Sequence, residues 1–394
     1  MRTSRGLLWK ALCAAAVLRP LSAAAVSEHE APAAHGRCER LASTIEREHA
    51  AGRFDGVVLV GQGSEVVCQR AIGFANRADR TVHRVDEPWR LASVSKQVAA
   101  LLLMQQVERG RVTLESRLSD LLPGFRTPLA QQITLRNLLQ HTSGLPNPDE
   151  TLAAGAPPDS MPTFYTRTFS DEAAPLKAAL DYCAGTPTGV PGAKFTYNNC
   201  DTLIVQAVLE RLMGEPYSRL VQDAIAAPLL LKQWSMATTD APGPGIPPGY
   251  LDARRIEPSF NLASFGASGA LVGSAGDLWE FDRALITHRL LGESATREMW
   301  TGEPRFGYVA LGAWSFAAPL KGCARPVLLV ERRGEIGGIQ VRNLIAPDLG
   351  AAVVILSNTA ETRFGEIWQG EGWMHEVASI SFCTPDQAPR AAAR

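Results

Sequence analysis

The chain has 394 residues, of which 46% are apolar and 20% charged, with a formal net charge of −1. That length and apolar content suffice to bury a large core, and they exclude a disordered or fibrous chain. Near-neutral charge, with no basic patch interleaved with aromatics, excludes a nucleic-acid-binding surface.

The N-terminus reads as an export signal over residues 1–25. Arg2, Arg5 and Lys10 form a basic start, Leu12 to Leu18 is mostly apolar, and Ala23-Ala24-Ala25 offers small residues for cleavage. The segment is too short and interrupted to span a membrane, and no other run reaches the length required. A periplasmic or secreted location follows. Residues 26–37 are small, polar and Pro-containing and read as a flexible arm. Beyond Cys13, six cysteines remain: Cys38, Cys68, Cys183, Cys200, Cys323 and Cys383. In an oxidising compartment they permit three disulfides. Cys183 with Cys200 would close a short loop around Tyr197, and Cys323 with Cys383 would tie down the C-terminal region. Sequence leaves the pairing open, and buried free thiols are the alternative. His and Cys do not cluster at metal-ligand spacing, so neither a structural zinc nor any other cofactor is expected.

Cys38 to Ala51 has helical periodicity, with Leu41, Ile45 and His49 on one face. Gly56 to Val60 and Glu65 to Cys68 flank the turn Gly61-Gln62-Gly63-Ser64 and read as a hairpin. The stretch Val98 to Met104 is apolar all round, and Gly110 stops it. A helix of that kind belongs in a core. Residues 111–260 hold amphipathic helical pieces broken by loops, notably Pro146 to Pro162 and the Pro/Gly-rich Ala241 to Tyr250. The last third carries four strand-like runs, at Tyr308–Gly312, Val327–Val330, Ile339–Arg342 and Ala351–Leu356, then a helical stretch over 362–378. Strands at both chain ends predict an α+β fold of three layers. One antiparallel sheet, flanked by helices, would carry an inserted, mainly helical lobe at about 111–260. The domain spans 38–378, and 379–394 is a tail.

The buried helix opens on Arg90-Leu91-Ala92-Ser93-Val94-Ser95-Lys96-Gln97. A serine hydroxyl needs a neighbouring base to become a nucleophile. Residues three apart share a helix face, so Lys96 reaches Ser93. A desolvated lysine has a lowered pKa and can serve as that base. The helix start adds N–H groups for developing negative charge. Ser-x-x-Lys alone is weak, the bland alternative being a capping serine and a surface lysine. Yet Lys96 is the only lysine between Lys10 and Lys177 and opens a buried helix, an expensive place for an unpaired charge. Downstream, Tyr197-Asn198-Asn199 follows Pro191-Gly192. A phenol near a lysine relays protons, and an asparagine amide binds both the lysine and a substrate amide. A packed tyrosine and a helix-capping asparagine are the bland alternative.

Four ordered segments resemble the serine β-lactamase superfamily, in the branch of class C β-lactamases, D-alanyl-D-alanine carboxypeptidases and family VIII esterases. They are Arg90 to Gln97, Ile133 to Pro146, Pro191-Gly192 with Phe195, Tyr197 and Asn199, and Gly269 to Leu278. The resemblance implies a β-lactamase/transpeptidase-like fold with Ser93 acylated. Lys96 and Tyr197 share base and acid work, Asn199 orients Lys96 and the substrate amide, and His141 is structural. No Gly-x-Ser-x-Gly motif exists, which argues against an α/β-hydrolase. One departure stands out. Where the family carries Lys-Thr-Gly or His-x-Gly, the best match is Glu335-Ile336-Gly337-Gly338. Glu335 would repel a substrate carboxylate and raise the pKa of a nearby phenol. Gly337 and Gly338 permit close backbone approach, with the Gly338 N–H as half of an oxyanion hole. Arg332, Arg333 and Arg342 are close enough in sequence to restore positive charge, and strand alternation sends Arg332 to the side opposite Glu335. The first reading is therefore an exported serine hydrolase acting on an ester or amide, its partner a small molecule or peptide. A β-lactamase or carboxypeptidase ranks second and a catalytically silent binding protein third.

Overall fold

In the computed structural model, which describes residues 31–157, 159–169, 171–237 and 245–383, runs from the two chain ends pair at the centre of one sheet. Strand β1 (Gly56–Gln62) lies antiparallel to β6 (Ala351–Ser357), with Gly56 opposite Ser357 and Gln62 opposite Ala351. Both strands have helices on each face, which is why their apolar residues run consecutively. Val58, Val60, Val353 and Ile355 pack with Leu41 and Ile45 of α1 (Ala31–Ala50) and Val377 of α5 (Trp373–Phe382). Val57, Leu59, Val354 and Leu356 point the other way, toward α2 (Ser95–Glu108) and α4 (Ala275–Ile286). The period-2 alternation of side chains thus splits one sequence between two cores.

Strand β2 (Glu65–Ile72) flanks β1. On the other side β6 is followed by β5 (Ile339–Ala346), β4 (Val327–Ile336) and β3 (Trp314–Ala318), giving the order β2-β1-β6-β5-β4-β3, antiparallel throughout. The α+β, three-layer expectation is met. Helix α2 is buried from Ser95 to Gln106, as its lack of a polar face demands. The lobe between α2 and α4 contains short helices and α3 (Asn199–Met213). It also contributes a strand that was not anticipated: Ser235–Met236 pairs with Leu271–Gly273, which pairs with Trp89–Arg90 at the start of the serine motif.

Some boundaries move. Strand β1 continues through Gly61 and Gln62, so the turn is Gly63-Ser64. Gly61 is a point of close approach, since a Cβ there would meet the Trp279 ring at 2.2 Å. Helix α1 begins at Ala31, inside the segment read as an arm. Alanines there favour helix, Pro32 is tolerated in a first turn, and Arg37 bonds Gln62 at 2.8 Å. At the other end α5 runs to Phe382, past the 378 boundary, because Phe382 and Cys383 are both buried. The export signal, the arm's first five residues, part of the Ala241–Tyr250 loop and the end of the tail lie outside the described residues. Among the described residues no helix is long and apolar enough to cross a membrane.

Three disulfides form: Cys38–Cys68, Cys183–Cys200 and Cys323–Cys383. The second joins the helix Ala174–Cys183 to the first turn of α3, one residue after Asn199. Its 17-residue separation restricts the unfolded chain. Replacing both cysteines by alanine is expected to lower unfolding free energy by roughly 3 kcal/mol, measured by urea denaturation.

Candidate active site

Ser93 sits in a tight turn, Ala92–Val94, that leads into α2. Ala92 is buried at φ +47°, a conformation non-glycine residues rarely adopt. The turn is clamped from outside: Leu91 N–H donates to Leu271 O at 2.8 Å, and the Ser95 hydroxyl donates to Ala92 O at 2.6 Å. Backbone strain of this kind persists only where surrounding contacts hold it.

Lys96 is 1% exposed, and its Nζ donates to Ser93 Oγ at 3.1 Å, Asn199 Oδ1 at 2.7 Å and Ser268 O at 2.7 Å. Among the described residues no carboxylate forms a salt bridge with it. Burial pulls its pKa down to about 8, with Tyr197 opposing and Arg332 assisting. Tyr197 OH lies 2.6 Å from Ser93 Oγ. Burial alone would raise the phenol, but the charges of Arg332 and Lys96 outweigh it and leave its pKa below the ordinary value.

The chain holds Tyr197 in place from the Ile133–Pro146 segment. Thr196 N–H donates to His141 O at 2.8 Å and Gly192 N–H to Thr142 O at 2.7 Å. Asn147 donates to Tyr197 O at 3.3 Å and accepts from Asn199 N–H at 3.2 Å. The His141 ring lies 4.8 Å from that of Tyr197, and burial keeps it neutral. It packs beside the phenol, with its Nδ1 3.4 Å from the buried Asp201 Oδ2. The two asparagines divide the alternatives raised by the sequence. Asn198 caps α3, accepting from Cys200 N–H at 2.7 Å, while Asn199 turns to Lys96.

The third strand motif lies three residues earlier than the sequence match suggested. Arg332, 1% exposed, donates through Nη2 to Tyr197 OH at 2.7 Å and through Nε to Ser93 O at 2.8 Å. Its guanidinium lies 5.3 Å from the centres of the Tyr197 and Trp314 rings. The other two arginines are engaged elsewhere, Arg333 with Glu331 and Glu366, and Arg342 over Phe364. Arg332-Arg333-Gly334 reproduces the cation-x-Gly spacing. A Cβ on Gly334 would stand 2.7 Å from Leu91 O and 3.1 Å from Ser93 N, so glycine is required where the strand passes the serine. Glu335 is exposed on the cleft rim and makes no hydrogen bond to Lys96 or Tyr197. It does not occupy the cation's place.

Gly337 and Gly338 form the two-residue turn between β4 and β5, with Ile336 opposite Ile339. Gly337 lines the cleft, but the Gly338 N–H donates to Glu257 Oε2 at 3.2 Å, which removes it as an oxyanion donor. The turn needs glycines for docking, since Cβ atoms would come within 2.2 Å of Glu257 and 2.1 Å of Tyr250 N. Ladder geometry points to a different donor. Ser315 N–H donates to Tyr308 O, away from β4, so Trp314 and Glu331 form a hydrogen-bonded pair. By alternation the N–H groups of Arg333 and Glu335 face the same edge. Strand β3 has ended there, and the Ser93 turn takes its place. The backbone of Glu335, not its side chain, faces the serine.

Ser93, Tyr197 and Asn199 open on a cleft of about 430 Å³. Sequence reasoning missed two of its wall residues, Asp149 and Tyr165. Asp149 Oδ1 accepts from Tyr165 OH at 2.7 Å and Asn199 Nδ2 at 2.8 Å. No local motif distinguishes either residue. A larger cavity, about 670 Å³, lies beside Leu203 and Tyr217 and contains none of these reactive groups.

The fold and the comparisons define a β-lactamase-related serine hydrolase, whose cleft brings the Ser93, Lys96 and Tyr197 side chains within hydrogen-bond distance. The β-lactamase family model matches residues 41–369, and the chain belongs to that family. It is 27% identical over 386 residues to the D-alanyl-D-alanine-carboxypeptidase/endopeptidase AmpH of Escherichia coli K12, covering 93% of this chain and 94% of that protein. It is 26% identical over 347 residues to esterase EstB of Burkholderia gladioli, covering 77% and 86%. The crystal structure of a D-stereospecific amidohydrolase from Streptomyces sp. superposes with a TM-score of 0.69 at 25% identity, covering 88% and 98%.

Proposed function

We propose that the protein hydrolyses an ester or amide through an acyl-enzyme on Ser93. The observation that carries this reading is the position of Ser93 Oγ, 2.6 Å from Tyr197 OH and 3.1 Å from Lys96 Nζ. Ser93 Oγ attacks the carbonyl carbon while its proton passes to the Lys96–Tyr197 pair. The oxyanion is held by the N–H groups of Ser93 and Glu335, and the leaving group departs with the proton. Water then attacks the ester, loses a proton to the same pair, and frees Ser93. Incubation with a fluorophosphonate should add one adduct by intact mass, and Ser93→Ala should abolish it. No adduct on the wild-type protein, or one that survives the substitution, refutes the reading.

A substrate lacking a free carboxylate ranks first, because Glu335 stands on the rim. A β-lactam or D-alanyl-D-alanine substrate is the second reading, favoured by Arg332 as the replacement cation. Its guanidinium is already committed to Tyr197 and Ser93, which supports the ranking. Nitrocefin and D-alanine-release assays separate the two. The basic-apolar-small N-terminus and three disulfides support export to an oxidising compartment.

A further inference from the structure

The two N–H groups assigned to the oxyanion lie on different segments, that of Ser93 on the turn into α2 and that of Glu335 near the end of β4. Arg332 joins these segments on one side, through its 2.8 Å bond to Ser93 O. On the other side the join is a buried carboxylate. Glu257, its side chain 9% exposed, accepts on Oε1 from Arg90 Nη2 at 2.5 Å and from Gly249 N–H at 2.8 Å, and on Oε2 from Gly338 N–H at 3.2 Å. Arg90 precedes Ser93 by three residues, and Gly338 follows Glu335 by three. Both lie on paired backbone, Arg90 opposite Val272 and Glu335 opposite Gln340 across the turn. Glycines make room for the carboxylate, since a Cβ on Gly249 or Gly337 would overlap Glu257 Oε2. Arg90 is buried beside the Phe260 ring, and among the described residues its Nε has no hydrogen-bond partner and its ion pair is with Glu257. A cation at that depth requires its counter-charge. The carboxylate's partners do not include Ser93, Lys96 or Tyr197, so the proton-transfer groups are not what it holds.

We propose that Glu257 is a positioning residue for acyl transfer: by tying Arg90 to Gly338 it holds the Ser93 and Glu335 N–H groups at the spacing that one oxyanion needs. The inference rests on the reading of Ser93 as the nucleophile and of those N–H groups as the oxyanion donors. A carboxylate suits the place because both of its oxygens accept, one toward the serine segment and the other toward the turn. An amide has a single acceptor oxygen. In Glu257→Gln that oxygen stays with Arg90 and Gly249, and the NH2 group then faces the Gly338 N–H, donor against donor. The turn is released while the serine segment stays held. A displacement of that kind acts through the atom that the two N–H groups bind.

The test uses a fluorophosphonate and its thiono analogue, with P=S in place of P=O. With either probe Ser93 Oγ bonds to phosphorus, fluoride leaves, and the serine proton passes to the Lys96–Tyr197 pair. Sulfur is larger and a weaker acceptor, so only the oxygen probe draws fully on the two N–H groups. Labelling rates of the full chain are read by intact mass. Glu257→Gln is expected to slow the oxygen probe about 10- to 100-fold and the sulfur probe about threefold at most, narrowing the wild-type preference for oxygen. Lys96→Met supplies the contrast: it acts on the serine proton, slows both probes alike and leaves the preference where it was. Arg90→Lys keeps the buried charge paired and carries the test if Glu257→Gln does not fold. A lone ammonium grips the carboxylate less firmly than a guanidinium, and the preference should narrow in the same direction. Equal slowing of both probes, as a merely architectural role would give, overturns the inference. So does an oxygen-probe rate within about twofold of wild type, since a displaced oxyanion donor costs more than that. Absence of wild-type labelling instead removes the assignment of Ser93.

Discussion

Substituting Lys96 by methionine is expected to lower kcat/KM by about 10³- to 10⁴-fold, with little change in KM. Methionine fills a similar volume but cannot take a proton. Lys96→Arg is the sharper probe. Arginine retains a positive charge and can donate to Asn199 Oδ1 and Ser268 O, yet it is not deprotonated at working pH. If Lys96 exchanges the proton of Ser93, the arginine variant loses about as much activity as the methionine one. Retention of more than a tenth of wild-type activity by Lys96→Arg would assign Lys96 a positioning role and leave the proton transfer to Tyr197 alone. The pH profile gives an independent check. The base works only when deprotonated, and the Lys96 pKa lies at about 8. Wild-type kcat/KM should therefore rise through roughly that pH, an apparent value belonging to the coupled Lys96–Tyr197 pair.

Much of this centre was legible because its parts are local. Ser93 and Lys96 are one helical turn apart, and the all-apolar run behind them had to be a core helix. The strand runs at 56–60 and 351–356 announced a sheet made from both chain ends because strands buried on both faces cannot alternate. The third motif was misplaced for a physical reason. Two glycines at 337–338 look like a backbone that approaches a substrate, but they serve a hairpin turn packed on Glu257. The glycine that matters is Gly334, and the signal was present in Arg332-x-Gly334. Alternation along β4 correctly separates Arg332 from Glu335, yet it does not say which side holds the serine. Asp149 was invisible for another reason. Its role depends on Tyr165 and Asn199, which are 16 and 50 residues away, and no short spacing encodes that contact.

Arg332→Gln is expected to cost about 10²- to 10³-fold in kcat/KM and to move the rising limb of the pH profile to higher pH. The direction does not depend on which group is the base. Arg332 lowers the pKa of Lys96 and also that of Tyr197. Removing its charge raises both, so a higher pH is needed to deprotonate either. Glutamine retains an amide donor that can reach toward Tyr197 OH, which limits the loss from an unsatisfied phenol. Arg332→Lys should keep the profile closer to wild type, because the charge remains while the contact to Ser93 O is lost. Arg332 could have a merely architectural role, holding β4 against the serine turn through its 2.8 Å contact with Ser93 O. In that case both variants would lose activity with the limb unmoved. A limb that shifts upward in Arg332→Gln and returns in Arg332→Lys identifies the charge itself as the contribution. It would also explain how a chain with an exposed glutamate beside its third motif keeps a phenol and a lysine poised for proton transfer.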